Sequence, residues 1–373
     1  MSRRALKAVA AFFLLTGLMA VPGVADANGI EADYEVIATG LDNPRGLDIR
    51  GRATVFVAES GTGGDSDICI PAPDDEPQCL GSSGAITRIR GGVQTRVVEG
   101  LPSFAVADGS EAVGPSDVDI FSGVLYATMA LGADPAERDA LGPEAELFGT
   151  LLRLNRFGGS HTVVADIAAL EGTDNPDGGG IDSNPVSVDF RRGSYFVADA
   201  GGNSLIRVDS RGRTSTAATF PTLQADAPPF LGLPPGAQIP AQAVPTAVET
   251  GPDGALYVSQ LTGFPFPVGA ASVFRVLPNQ EPVVYVDGFT NIIDLAFAPN
   301  GDLYVLEVAT NSLLGAPGGA LWRVSADGER ELVLAEPLFF PGGVAVSPVT
   351  SDIYVTNCGV CAGGGEVLRI DAP

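Results

Sequence analysis

The sequence predicts an all-β fold: a six-bladed β-propeller of four-stranded blades, in which an N-terminal strand completes the last blade. Three observations carry this prediction. One strand pattern recurs six times along the chain, an arginine occupies the same column of the strand that follows each copy, and the repeat is incomplete at the C-terminal end while one spare strand stands at the N-terminal end.

The recurring strand is the second of each blade: VFVAE (55–59), LYATM (125–129), YFVAD (195–199), LYVSQ (256–260), LYVLE (303–307) and IYVTN (353–357). Each run is short, β-branched and aromatic at its second place, which is strand composition. A third strand follows every copy and carries Arg88, Arg153, Arg207, Arg275, Arg323 or Arg369. An arginine repeated at an outlying strand reads as a structural inter-blade bond, not as a ring of six cations around the axis. The first strands open at turns, as in NPRGLDI (43–49), GPSDVDI (114–120) and NPVSVDF (184–190), with proline at the second place in five of six copies. Proline suits a strand start, where no ladder donor is required. Fourth strands such as TRVVEGL and PVVYVDGF follow in five repeats. The sixth lacks one, and YEVIATGL (34–41) has the right character to supply it. Closing the ring this way removes the exposed edges of a linear array, so residues 28–373 are expected to form a single domain.

The blades average about 58 residues, against roughly 40–45 for compact four-stranded repeats. The surplus lies after second strands (60–84, 130–149, 260–271, 308–319) and before first strands (102–113, 171–183, 222–243). Because strands alternate in direction, both kinds of loop fall on one pole. Loops on a rigid scaffold are the usual place for binding, so this pole is the expected site for a small molecule, a glycan or a protein. Polar residues gather at the same end of the central channel: Asn43, Asp117, Asn184, Asn291 and Asp294 near the starts of first strands, with Glu59, Asp199 and Glu307 at the ends of second strands. An oxygen-rich, histidine-free set suits Ca²⁺; the plainer reading is that these groups cap strand ends. The segment DNPDGGGIDSN (174–184) could supply another ion loop, but its carboxylates at 174, 177 and 182 do not follow EF-hand spacing, and the plainer reading is a glycine-rich turn.

Residues 1–27 read as an export signal, with Arg3, Arg4 and Lys7 before the apolar stretch 8–21 and the small-x-small sequence Ala25-Asp26-Ala27. That stretch is short for a membrane span, so the processed protein is expected to be secreted or periplasmic, without a membrane span, and monomeric. The chain holds 45 acidic and 21 basic residues, a formal charge of −24, and loss of Arg3, Arg4, Lys7 and Asp26 with the leader deepens it to −26. Such a surface excludes nucleic acid as a partner. The four cysteines, Cys69, Cys79, Cys358 and Cys361, are expected to form two disulfides in an exported protein. Local pairs and crossed pairs clipping the first blade to the last are both open. The single histidine, His161, begins a fourth strand on the pole opposite the insertions. It is out of reach of serines such as Ser60 and Ser110, taken here as exposed, so a Ser/His/Asp triad is not expected.

The stretches ATGLDNPRGL (38–47), SSGAITRIRGGVQTRVVEGLPS (82–103), GTLLRL (149–154), NPDGGGIDSNP (175–185) and VADAGGNSLIRV (197–208) resemble the ScyD/ScyE family from about residue 34 to the end of the chain. That resemblance implies an exported six-bladed propeller related to NHL repeats. Ser116 stands in GPSDV where the family pattern has histidine. The functional expectation is a non-catalytic binding scaffold. The alternative is a Ca²⁺-dependent hydrolase or lactonase with Glu59, Asp199 and Glu307 as ligands or general bases.

Overall fold

The structure is a computed structural model and describes residues 32–71, 76–155, 160–316 and 318–372. The expected leader, 1–27, lies outside these residues. The described chain forms six four-stranded antiparallel blades. Their inner strands are Pro44–Arg50, Pro115–Phe121, Pro185–Arg191, Pro245–Thr250, Ile292–Phe297 and Gly343–Val346. Each packs beside the next, and the sixth returns to the first, so together they ring a central channel. Blade 6 is completed by the N-terminal strand Tyr34–Leu41, which pairs antiparallel with Gly365–Ile370. The ring therefore closes as its strand arithmetic requires. Further bonds across the seam run from Thr356 Oγ1 to the Arg45 carbonyl at 2.8 Å and from the Asn43 amide to the Cys361 carbonyl.

Six hydrophobic clusters hold the ring, one at each blade boundary. Phe56, Ile86 and Val98 of blade 1 meet Val118, Leu125 and Leu152 of blade 2, for example, and Leu41 and Tyr354 of blade 6 meet Leu47 and Val57 of blade 1. Side chains alternate along each strand, so both faces of a blade are apolar and each buries itself against a neighbour. Two smaller clusters lie beneath the loops: Leu80, Phe104, Leu131 and Phe148 under the insertions of blades 1 and 2, and Val308, Ala309 and Phe340 near blade 6.

The arginine column works within blades, contrary to the inter-blade role expected of it. In every blade the arginine is the register partner of the second-strand aromatic: Phe56–Arg88, Tyr126–Arg153, Phe196–Arg207, Tyr257–Arg275, Tyr304–Arg323 and Tyr354–Arg369. In blades 3 to 6 it reaches from there to the turn joining the first two strands or to the residue beside it. Arg275 pairs with Asp253 at 2.6 Å, Arg369 with Asp352 at 3.4 Å, and Arg207 Nε donates to Ser194 at 3.1 Å. The guanidinium is carried by the third strand and is long enough to span the second, so it clamps its own hairpin.

Candidate functional site

The insertions fold as structured additions at one pole. In blade 1 the third and fourth strands lengthen to Pro77–Arg90 and Val93–Ala105, and a short strand, Cys69–Pro71, joins their edge. Cys69 and Cys79 are register partners there and form a disulfide. Cys358 pairs with Cys361 in the loop after the last second strand. Both disulfides are local, so the crossed alternative is excluded, and closure of the ring rests on strand pairing. Blade 2 carries a helix, Pro135–Ala140, capped by the Asp134 carboxylate, and a second helix, Ala168–Asp174, leads toward blade 3. The insertion before blade 4 is a hairpin, Leu223–Asp226 against Gln238–Ala241, with the helical turn Pro229–Leu231 near its tip. Loops from different blades touch: Asn43 donates to the carbonyls of Gly61 and Gly109, and the 133 and 183 backbones form an isolated bridge.

The hairpin tip holds an exposed apolar group. Phe230 is 70% exposed, with Leu231, Leu233 and, on the 260–271 loop, Val268 also exposed. Phe264 lies 6.2 Å from the Phe230 ring and 6.2 Å from Phe266, so the hairpin and the neighbouring loop present one aromatic-aliphatic surface. Sequence reasoning identified the insertions but not this surface. Its signal, FLGL between prolines at 228–235, was legible.

The eight polar residues expected at the channel mouth separate into three roles. Glu59, Asp199 and Glu307, at the ends of second strands, each accept a backbone amide from the loop before their own inner strand, namely that of Asp42, Asn184 and Thr290. Asn357 does the same for Phe339 in blade 6. Glu59 also takes Thr87 Oγ1 and two nitrogens of Arg96, so its charge is matched by a cation. Glu307 accepts from Trp322 Nε1 and Asp199 from Ser183 Oγ. Asn43, Asn184 and Asn291 bridge loops through their amides; Asn184 accepts from Leu131 N and Asn291 donates to the Leu261 carbonyl. Asn43 and Asn291 have φ of 51° and 46°, a left-handed conformation that asparagine tolerates. Asp117 and Asp294 lie deeper and staple neighbouring inner strands, each accepting its own next amide and one from the following blade, that of Val188 or Val344. Among the described residues no three His, Cys, Asp or Glu side chains form a metal-ligand group.

The structure adds residues that the sequence reading passed over. Asp48, Asp119, Asp189 and Glu249 share one column of the inner strands, two places beyond Asp117, so with Asp294 six carboxyls line the channel. All six are half-buried. Burial pushes Asp48 up to about 6 and Asp117 up to about 7, opposed by the backbone amides each accepts. Burial, reinforced by neighbouring carboxylates, holds Asp119, Glu249 and Asp294 well above the usual range. Arg45 is the one cation that the mouth ends of the inner strands carry, and burial lowers it to about 10. It donates to the Ala112 carbonyl at 3.2 Å and to Ser60.

The hydroxyls are engaged differently from what the sequence suggested. Ser60 is 2% exposed, not on the surface, because it bonds the Pro115 carbonyl across the blade boundary at 2.9 Å. Ser116 donates to the Val186 carbonyl. His161 is exposed at the first position of the outer strand His161–Asp166. No helix among the described residues is long and apolar enough to cross a membrane.

No protein-family model matches this sequence, and no curated protein matches it. Solved structures do share the fold. A Bacteroides thetaiotaomicron protein of unknown function matches with a TM-score of 0.53 at 11% identity over 91% of this chain and 72% of its own. The PQQ-bound aldose sugar dehydrogenase of Streptomyces coelicolor matches at 0.53 and 12% identity, covering 92% of this chain and 99% of that one. The calcium-binding protein regucalcin of Agrobacterium tumefaciens matches at 0.51 and 12% identity, covering 93% and 97%. At these identities the likeness is one of architecture: this chain has the six-bladed propeller fold common to enzymes and binding proteins.

Proposed function

We propose that this protein is a non-catalytic binding module, exported from the cytoplasm, whose loop-bearing pole takes a ligand with an apolar face. The observation that supports this reading is the group of exposed Phe230, Leu231 and Leu233 at the hairpin tip, with Phe230 beside Phe264 of the 260–271 loop, which also exposes Val268. Single exposed apolar residues are ordinary, but a group gathered at the tip of a structured insertion marks an interaction site. A protein surface, the apolar face of a sugar ring, or a small molecule would meet it. Two local disulfides favour an oxidising compartment. The placement of His161 and the engagement of Ser60 and Ser116 supply no nucleophile–base pair at this pole.

The test uses a fluorescent apolar probe such as anilinonaphthalene sulfonate with the folded protein. Binding is expected in the wild type and is lost in Phe230→Ser/Leu233→Ser. Because these side chains are exposed, the double variant keeps its Tm. Probe binding that survives the substitutions would displace the site. Turnover in a panel of lactones and esters, abolished by Asp117→Asn, would replace the binding module with the hydrolase alternative.

A further inference from the structure

Beside Asp199 lies a second carboxylate cluster, in which Glu171, not singled out by the sequence, joins Asp182 of the 174–184 segment. Glu171, in the helix Ala168–Asp174, is 2% exposed, and its Oε1 has no hydrogen-bond partner. The Asp182 amide bonds to the Glu171 carboxyl. Along the same segment, Asn175 Oδ1 and Asp182 Oδ1 are likewise buried without a donor. Asn175 spends its Nδ2 on the Gly179 carbonyl, which leaves the amide oxygen free. Two of these side chains meet the turn Gly201-Gly202: a Cβ on Gly201 would stand 2.8 Å from Asp182 Oδ1, and one on Gly202 would stand 2.8 Å from Glu171 Oε2, the carboxyl's other oxygen. The absence of side chains on that turn is what makes room for them.

The charges do not balance from within. The groups that act on Glu171 and Asp182 by charge are Asp134, Glu137, Asp177 and Asp199, all acidic. Arg138, the cation on the nearby helix, is taken by Asp166 at 2.9 Å and by Asp139. A buried carboxylate without a cation, and with one oxygen unmet, is costly, and three acceptor oxygens with nothing to accept are the arrangement that a hard cation satisfies. Glycine turns, one amide oxygen and carboxylates that need not exceed two are compatible with a site of six to eight oxygens completed by carbonyls and water.

We propose that Glu171 Oε1, Asn175 Oδ1 and Asp182 Oδ1 ligate one Ca²⁺ ion, which ties the helix Ala168–Asp174 and the glycine-rich 174–184 loop to the turn at Gly201-Gly202. The ion lies between blades 2 and 3 at the loop-bearing pole, away from the channel carboxyls and from the Phe230 surface. It therefore stands or falls independently of the binding reading above.

Calorimetric titration of the exported protein, stripped with EDTA and titrated with CaCl₂, tests the assignment. One ion per chain is expected, with a rise in Tm on binding. Glu171→Gln and Asp182→Asn keep the shape of each side chain and remove its charge. Each is expected to weaken Ca²⁺ by at least the roughly 10–100-fold that loss of a supporting partner costs a metal site, and to raise the Tm measured in EDTA. A wild type that takes up no Ca²⁺ at millimolar concentration overturns the proposal, as does undiminished affinity in both variants. Should a variant misfold, amide exchange of the wild type decides. Ca²⁺-dependent protection at 171–184 and 199–203 upholds the site, and protection confined to other segments overturns it.

Discussion

At the scale of single residues, the polar groups of the loop-bearing pole divide by how their charge is met. Glu59 is fully buried and bonded on both oxygens, to Asp42 N, Thr87 and Arg96. Truncating such a residue leaves the Asp42 amide and Thr87 unmet, while Arg96, 37% exposed, keeps Asp42; buried donors left unmet cost about 1–3 kcal/mol. Glu59→Ala is therefore expected to lower the unfolding free energy by about that much in urea, while Glu59→Gln, which keeps the amide acceptor, costs less. Equal losses in the two variants would mean that packing, not hydrogen bonding, sets the cost. Asn43 tests a different mechanism: its left-handed φ and two carbonyl partners are lost together in Asn43→Ala. A cost of about 2–5 kcal/mol follows from roughly 1–2 for the conformation and 1–3 for buried acceptors left unmet. The sequence places Asn43 before a first strand and Glu59 at the end of a second strand but could not assign their partners. Whether a carboxylate meets an arginine, an amide or nothing depends on contacts between distant segments: Arg96 lies on the outer strand of its blade, and the Asp182 amide reaches Glu171 across a turn.

At the scale of elements, the repeat made the blades legible. The aromatic of the second strand and the arginine of the third are cross-strand partners six times over, so a column in the sequence became a row in the sheet. What the column could not show was the direction of the guanidinium, because a residue's reach beyond its strand is set by the turn it meets. The pair of Arg275 and Asp253 is partly exposed, at 30% and 38%, and ion pairs open to solvent contribute little. Arg275→Ala is accordingly expected to shift Tm far less than Glu59→Ala, and a comparable loss would assign the clamp a folding role. The disulfides follow the same logic of locality. Non-reducing peptide mapping should give 69–79 and 358–361 links and no 69–358 or 79–361 link. Reduction should leave the propeller folded, since the six inter-blade clusters contain neither pair. The insertions were located by sequence, but their structures were not. Their helices and hairpin are short segments whose patterns are too brief to set a period; Leu141 and Ala168, at the two helices, pack into the small cluster around Phe148.

At the scale of the whole molecule, closing six inner strands around an axis concentrates what a flat sheet would spread out. Each of Asp48, Asp117 and Asp294 earns a structural use by accepting amides from two adjacent blades, yet the ring brings six carboxyls into one lumen of a chain with a net charge of −24. Burial and mutual repulsion raise Asp48 to about 6 and Asp117 to about 7, and hold Asp119, Glu249 and Asp294 higher than usual. The sign of the consequence follows from linkage. In the unfolded chain these carboxyls titrate near 4, so between about pH 4 and pH 7 the folded protein binds more protons than the unfolded one. Their contribution is fully present below the unfolded value and is lost as pH rises through 6 to 7. Carboxylates such as Asp209 and Asp108, lowered by hydrogen bonds, act in the opposite sense only at more acid pH. The protein is therefore expected to melt at a higher temperature at pH 5 than at pH 8. At one pKa unit to about 1.4 kcal/mol and about 2–4 °C per kcal/mol, the difference is several degrees. Asp119, whose Oδ2 is buried without a partner and which faces the charges of Asp48, Asp117 and Asp189, is the residue to probe. Asp119→Asn should raise Tm at pH 8, change it little at pH 5, and so flatten the profile. A Tm that rises from pH 5 to pH 8, or an Asp119→Asn variant that loses stability equally at both, would mean that the channel carboxyls are ionised and matched, not held as a proton-sharing ring.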